Sequence, residues 1–335
     1  MYKDEYAEPC AIQNQLIRFR AGDGVSASFA AHLFRYCQST GVFAVIALQT
    51  TSVAHLGVSR FHRLQLAWPS RLIEQERIAE ALGDADTLIE SLERLIAKKS
   101  KIKQGIMQEL LTGRRRLPGF AARLGYKHTE IGAVPEDWEV KTLADLFTFQ
   151  NGVNADKSAY GGGIPFINVL EVITHHTLTE PRIPGRVRLS PQVRSSFAVQ
   201  FGDVLFNRTS ETQEELGLAA VYTGTSEVVF GGFVIRARPR TSSIDPILAS
   251  YLLRSPSVRA QIVAWGQGAI RANIGQHDLA RVQLPLPGKD EQKAIATVLS
   301  EMEAEMAALD AKLAKARQLK QGLMQELLTG RTRLI

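Results

Sequence analysis

The chain has 335 residues, 45% of them hydrophobic, with 40 Lys and Arg against 34 Asp and Glu, a formal charge of +6. That length and apolar content allow a core in each of two domains and exclude a disordered tail. No run of about 18 apolar residues occurs, the opening Met1-Tyr2-Lys3-Asp4-Glu5 is too acidic and polar for a secretory signal, and Cys10 and Cys37 match no metal or redox spacing. A soluble cytoplasmic protein with no membrane contact is therefore expected, and the basic balance favours a polyanionic partner.

In chain order, the first sustained period begins past residue 70. From Glu74 onward the apolar positions Ile78, Leu82, Ala85, Ile89, Leu92 and Ile96 alternate steps of four and three, the seam of a coiled coil, and Gly113 offers a helix stop. A long helix is predicted over 71–117, roughly 60 Å at about 1.5 Å per residue, followed by a linker over 118–130. Residues 131–287 read as β-rich, with short apolar runs such as Ile164-Pro165-Phe166-Ile167 and Val228-Val229-Phe230 between glycine-bearing turns. This segment balances 14 basic against 14 acidic side chains, and 12 of the basic ones are arginine, whose planar fork suits phosphate and guanine. A second long helix is predicted over 288–335, with seam positions Ile295, Leu299, Met302, Met306, Leu309 and Leu313 and a stop at Gly330.

The two helices are copies. Glu74-Gln75 recurs as Glu291-Gln292, and the twelve residues from Lys103 to Arg114 recur from Lys320 to Arg331, always at an offset of 217 and without a gap. Residues 74–93 carry seven acidic and one basic side chain and 94–117 eight basic and one acidic; 291–310 carry five and one, and 311–334 six basic and one acidic. Antiparallel pairing sets each acidic half beside the other helix's basic half, and this arrangement is predicted. The same gradient would also complement each helix's macrodipole. Fainter matches upstream, at an offset of 218, place Ile17-Arg18-Phe19-Arg20 over Ile235-Arg236-Ala237-Arg238, Ala54-His55-Leu56-Gly57 over Ala272-Asn273-Ile274-Gly275, and Gln65-Leu66 over Gln283-Leu284. The repeating unit is then a globular domain followed by a helix. Residues 1–70 answer to the back half of 131–287, and nothing answers to 131–218, so the first domain is expected to be truncated at its front.

These segments resemble the specificity subunits of type I restriction-modification systems. The resemblance rests on Ile131-Gly132-Ala133-Val134-Pro135-Glu136-Asp137-Trp138, on the run from Gly202 to Ser210, on Leu284-Pro285-Leu286-Pro287 leading into Glu291-Gln292, and on the Glu-Leu-Leu-Thr-Gly-Arg helix ends. It implies an α+β fold in which β-rich target recognition domains are joined by two long antiparallel coiled-coil helices. It further implies that each domain reads one half of a split site in double-stranded DNA, with the helices as a spacer ruler. Two helices of roughly 60 Å exceed one DNA turn of about 34 Å. The expected partners are modification subunits, which carry S-adenosylmethionine and methylate adenine, and restriction subunits, which use ATP and Mg. No cofactor is expected in this chain, and self-association through the helices is a further expectation.

The candidate base readers are polar residues at strand ends. Asn207, Arg208, Thr209 and Ser210 follow Val204-Leu205-Phe206, so a strand would deliver them to a rim; the alternative is an Arg208 tied to Glu211 or Glu214. Gln150, Asn151 and Asn154 flank Gly152, where amides could pair with adenine or simply turn the chain. Arg271 and Asn273 could meet phosphate, and Asn168 could reach out or cap a helix. Gly161-Gly162-Gly163 and Gly22-Asp23-Gly24 lack the residues of nucleotide-binding loops, His175-His176 has no partner at ligand spacing, and no nucleophile elbow appears, so no catalytic centre and no metal site are predicted. Three functions stay open: a DNA-reading subunit, a DNA-reading-deficient structural or competitor protein that binds modification subunits through its helices, and a stand-alone coiled-coil adaptor unrelated to DNA.

Overall fold

A computed structural model describes residues 16–49, 54–120, 125–266 and 272–334. The chain divides into two compact units, Met1–Ser100 with Glu305–Ile335 and Lys101–Ala304, and the division falls inside both long helices. Those helices are Leu72–Leu111 and Lys289–Leu328, 40 residues each. They end alike. Gly113 at φ 69° and Gly330 at φ 72° take the left-handed turn, and the amides of Arg115 and Thr332 donate back to the carbonyls of Glu109 and Glu326 at 3.2 and 3.1 Å.

The helices run antiparallel. In the first unit Lys320 meets Asp86 at 2.5 Å, Arg317 meets Glu93 at 2.6 Å and Lys99 meets Glu305 at 2.6 Å, so partner numbers fall on one helix as they rise on the other. In the second unit Lys103 pairs with Glu303 in the same sense. Lys320–Asp86 and Lys103–Glu303 are part-buried and the other two pairs more exposed; surface pairs of this kind contribute little each and act mainly on orientation. More comes from the seam. Ile78, Leu82, Ile295, Leu299, Leu309 and Leu313 are buried, and Ala85, Ile89, Leu92, Ile96, Met302 and Met306 are half-buried.

The repeated glutamine has a repeated task. Gln75 accepts the Ser26 amide on Oε1 at 2.8 Å and donates from Nε2 to the carbonyls of Pro69 and Gly24 at 2.8 and 3.1 Å. Gln292 accepts the Asp245 amide at 2.8 Å and donates to Pro287 and Ser243 at 2.9 and 3.0 Å. Ser26 and Asp245 are the N-caps of Ala27–Ser39 and Pro246–Leu252. Each glutamine thus ties the start of a long helix to the cap of an earlier one.

The second unit is built on two sheets. A five-stranded sheet runs Phe147–Asn151, Val234–Pro239, Val204–Asn207, Ala219–Tyr222, Thr177–Leu178, antiparallel except for its last pair. A four-stranded sheet runs Ala198–Val199, Val228–Phe230, Tyr160–Ile167, Arg186–Val187, with a parallel central pair. Alternation along the Val204–Asn207 strand explains its unbroken apolar run. Val204 and Phe206 enter one core with Leu110, Ile295 and Leu299 of the long helices, whereas Leu205 enters another with Ile167, Val228 and Phe230 of the four-stranded sheet. Tyr126–Thr129 and Gly132–Pro135 form a hairpin leading to Glu139–Thr142, which pairs antiparallel with Gln283–Leu286.

In the first unit Phe29, Leu33 and Cys37 of Ala27–Ser39 pack on Ile78, Leu82, Leu327 and Leu328. Around them Leu16, Phe19, Val58, Trp68, Leu72 and Ile73 stay exposed.

Candidate nucleic-acid interface

Five strand ends of the second unit converge on one rim. Asn207↔Val234, Ile235↔Asn151 and Phe230↔Ile167 are registered pairs, so the exits of Phe147–Asn151, Tyr160–Ile167, Val204–Asn207 and Val228–Phe230 lie beside the start of Val234–Pro239. The link across them is Gly231-Gly232-Phe233. A Cβ at Gly232 would stand 1.9 Å from Asn154 Oδ1, and one at Gly231 would stand 2.6 Å from the Phe166 ring and 3.2 Å from Asn168 Oδ1. Only glycine lets the three segments approach this closely.

On this rim Asn151, Asn154, Asn168 and Asn273 are exposed, and Arg208 and Thr209 are half-buried. Arg208 is held by its backbone, its amide donating to the Phe233 carbonyl at 2.9 Å and its carbonyl accepting the Ile274 amide at 3.0 Å. Its Nη1 lies 3.5 Å from the Gly232 carbonyl, a contact with backbone in place of the alternative tie to Glu211 or Glu214. Thr209 pairs with Asn273 and donates to its Oδ1 at 2.6 Å. The sequence pattern did not mark Phe233. It is 57% exposed although it lies between buried strands, and the glycine pair before it was the available signal.

Other expected readers serve the fold. Asn207 is fully buried and donates from Nδ2 to the Glu215 carbonyl at 2.9 Å. Ser210 is buried, donating to Glu215 Oε2 at 3.2 Å and accepting the Thr212 amide at 3.2 Å. The expectation that these two point into solvent is corrected: the strand continues inward past Phe206, and both side chains pin the adjoining loop. Gln150 is half-buried and tied to the domain, accepting from Arg236 and donating to the Ser196 carbonyl at 3.2 Å. Asn168 does both: its backbone amide donates to Glu171 at 2.8 Å at the start of Val169–Thr174, while the residue itself stays exposed on the rim. Arg271 lies outside the described residues.

The arginine richness of 131–287 is also partly structural. Arg238 forks onto Asp203 at 3.0 and 2.7 Å, and Arg236 and Arg238 both donate to the Ala198 carbonyl, at 2.6 and 2.8 Å. The hydrogen bonds to Asp203 raise the Arg238 pKa, whereas burial lowers that of Arg236. Arg240 donates to the carbonyls of Ala144 and Phe147 at 2.9 and 3.2 Å.

His176 is held by Ser250, whose hydroxyl donates to the Ile247 carbonyl at 2.7 Å and so accepts from His176 Nδ1 at 3.1 Å. Its ring lies 4.8 Å from that of Tyr251. Burial, with help from Arg254, pushes its pKa down to about 4, so the neutral ring is the folded form. The unfolded chain binds the proton first as pH falls. Stability should therefore be complete above about pH 6.5 and fall by roughly 2 kcal/mol by pH 4, allowing for partial exposure. Urea unfolding of wild type and His176→Gln across that range checks this; the variant should lose the slope.

The fold is a two-sheet domain joined to a pair of long antiparallel helices. The chain belongs to the type I restriction-modification specificity family: the family model described as "Type I restriction modification DNA specificity domain" matches residues 135–316, more than half of it. It is 25% identical over 314 residues to a putative type I restriction enzyme MjaX specificity subunit of Methanocaldococcus jannaschii, covering 91% of this chain and 68% of that one. It is 24% identical over 299 residues to the MjaVIII specificity subunit of the same organism, covering 85% and 66%. The chain thus spans about two thirds of the length of these relatives. In fold it is similar to the type I restriction-modification S subunit from M. genitalium, with a TM-score of 0.55 at 15% identity, covering 91% of this chain and 73% of that one. Members of the family are DNA-recognition proteins and not catalysts in themselves. No helix among the described residues is long and apolar enough to cross a membrane.

Proposed function

We propose that residues 131–287 read one half of a split site in double-stranded DNA through this rim. The observation that carries this reading is the convergence of Asn151, Asn154, Asn168, Arg208, Thr209, Asn273 and Phe233 on one exposed edge of otherwise buried strands. Asparagine amides match the adenine edge, arginine forks onto guanine or phosphate, and an exposed aromatic ring can stack or wedge. The paired helices serve as spacer ruler and as docking surface for modification subunits. Methylation with S-adenosylmethionine, and restriction with ATP and Mg, then belong to partner subunits, and the helices also permit self-association.

Selection from random-sequence DNA, with and without the modification subunit, tests the reading. Enrichment of one short motif supports it. Subunit binding without enrichment would instead identify a structural or competitor protein. Arg208→Ala should weaken binding to the preferred half-site by about 1 to 3 kcal/mol more than binding to unrelated DNA. Equal losses on both would make Arg208 a phosphate contact.

A further inference from the structure

A pinned turn presents Phe233 to solvent. The Val234 amide donates to the Gly231 carbonyl at 2.9 Å, which closes a tight turn over 231–234 with Phe233 third in it. The Phe233 carbonyl accepts the Arg208 amide at 2.9 Å, and the Gly231 amide donates to the Ile167 carbonyl at 3.0 Å. The turn is thereby fastened at the ends of Val204–Asn207 and Tyr160–Ile167, one strand from each sheet. Phe230 and Val234 on either side are fully buried, yet the Phe233 side chain is 57% exposed. Leu170, two residues past Asn168, is also exposed, but it lies on Val169–Thr174 and outside this turn.

The surroundings of the ring select among the ways it could meet DNA. In the sheet Val234–Pro239 lies between Phe147–Asn151 and Val204–Asn207, so Asn151 and Asn154 flank the turn on one side and Arg208 and Thr209 on the other. A Cβ at Gly232 would strike Asn154, and one at Gly231 would come against Asn168, so both amides stand directly on the turn. A wedge enters a base step ahead of its neighbours. This ring is instead hemmed by exposed amides, which would reach the same surface with it. Across the major groove an A·T pair presents the adenine N7 acceptor and N6 donor, then the thymine O4 and its C5-methyl group, so an amide beside an apolar group complements that one pair. The minor groove offers no methyl group and shows A·T and T·A alike.

We infer that Phe233 reads the C5-methyl group of a thymine in the major groove, as part of an A·T pair whose adenine edge meets a rim amide. The inference rests on the rim being a half-site reader, and it adds the base, the group on that base and the groove. The ring supplies the apolar contact, and the turn fixes its place relative to the amides. Burial of one methyl group is worth roughly fourfold in affinity.

The test uses the full chain with the modification subunit and a double-stranded oligonucleotide carrying the motif enriched by selection, in which each thymine in turn is replaced by deoxyuridine. The replacement removes the methyl group and keeps the base pair. At one thymine of the half-site wild type should lose roughly fourfold in affinity, Phe233→Ala should bind the two oligonucleotides alike, and Phe233→Leu, which keeps an apolar side chain, should retain part of the difference. A ring that only supports the turn would weaken both oligonucleotides equally in Phe233→Ala and leave their ratio at the wild-type value, which overturns the inference. It is also overturned by a motif without thymine, by indifference to every replacement, or by a difference that survives Phe233→Ala, as it would if Leu170 or Thr209 made the contact. A 2-aminopurine probe that brightens with wild type and not with Phe233→Ala would make the ring a wedge and overturn it as well. Any of these results on an enriched motif leaves the half-site reading standing, whereas absence of an enriched motif removes that reading and the inference with it.

Discussion

Trp138→Ala is expected to lower the unfolding free energy of the second unit by about 3 to 5 kcal/mol, the range for deleting a large buried aromatic side chain. The indole is 1% exposed, packs with Leu110, Leu111, Leu286 and Ile295, and lies beneath the Arg116 guanidinium, 5.5 Å from the ring. Removing it opens a cavity at the end of the first long helix and leaves the Glu291 carboxylate, 3% exposed, without its indole donor. Trp138→Phe separates the two losses: it keeps most of the ring and forfeits the hydrogen bond, for about 1 to 3 kcal/mol. Urea unfolding read through probes in residues 101–304 measures both. If the two variants cost the same, the hydrogen bond rather than the packing dominates. Asp137 sharpens the point. Its hydrogen bonds to Arg116 hold its pKa below the ordinary carboxylate value, so its contribution is complete above that value and lost as pH falls through the depressed one.

Arg254→Met is expected to cost about 3 to 4 kcal/mol, because hydrogen bonds to a charged donor are each worth about 1.5 to 3 kcal/mol and several are lost together. The guanidinium donates to the carbonyls of Ala219, Val172 and His175 at 2.7, 2.5 and 2.8 Å, closing the end of Val169–Thr174 onto the five-stranded sheet. Burial brings its pKa down to about 10, so it stays charged at neutral pH. Arg254→Lys should recover little, since an ammonium cannot span three carbonyls set for a planar fork. Faster hydrogen exchange across Val169–Thr174 would mark the loss as local. Unchanged exchange there would remove the capping role.

Much of this was legible in the sequence because the signals were periodic and duplicated. The seam Ile78, Leu82, Ala85, Ile89, Leu92, Ile96 repeats at constant offset, and charge polarity along it favoured the antiparallel pairing seen in Asp86–Lys320 and Lys103–Glu303 over a gradient that only complements each macrodipole. The rim was half legible. A short apolar run and then polar residues mark a strand end, and Arg208 and Thr209 lie there. The same rule placed Asn207 and Ser210 outside, because the sequence carries no sign of the loop that folds back through Glu215 to bury them.

Sequence by itself marked the family and the two helices and favoured their antiparallel pairing, since each of these rests on local pattern or on self-comparison. Tertiary structure alone decided which arginines are structural and which face out, because Arg208, Arg236 and Arg254 are identical until their surroundings differ in burial and in carbonyls within reach. It also decided that Phe233 belongs to the rim, and that Gly113 and Gly330, equal in sequence and in φ, differ in what lies above them. Those are properties of through-space neighbours, and no one-dimensional pattern carries them.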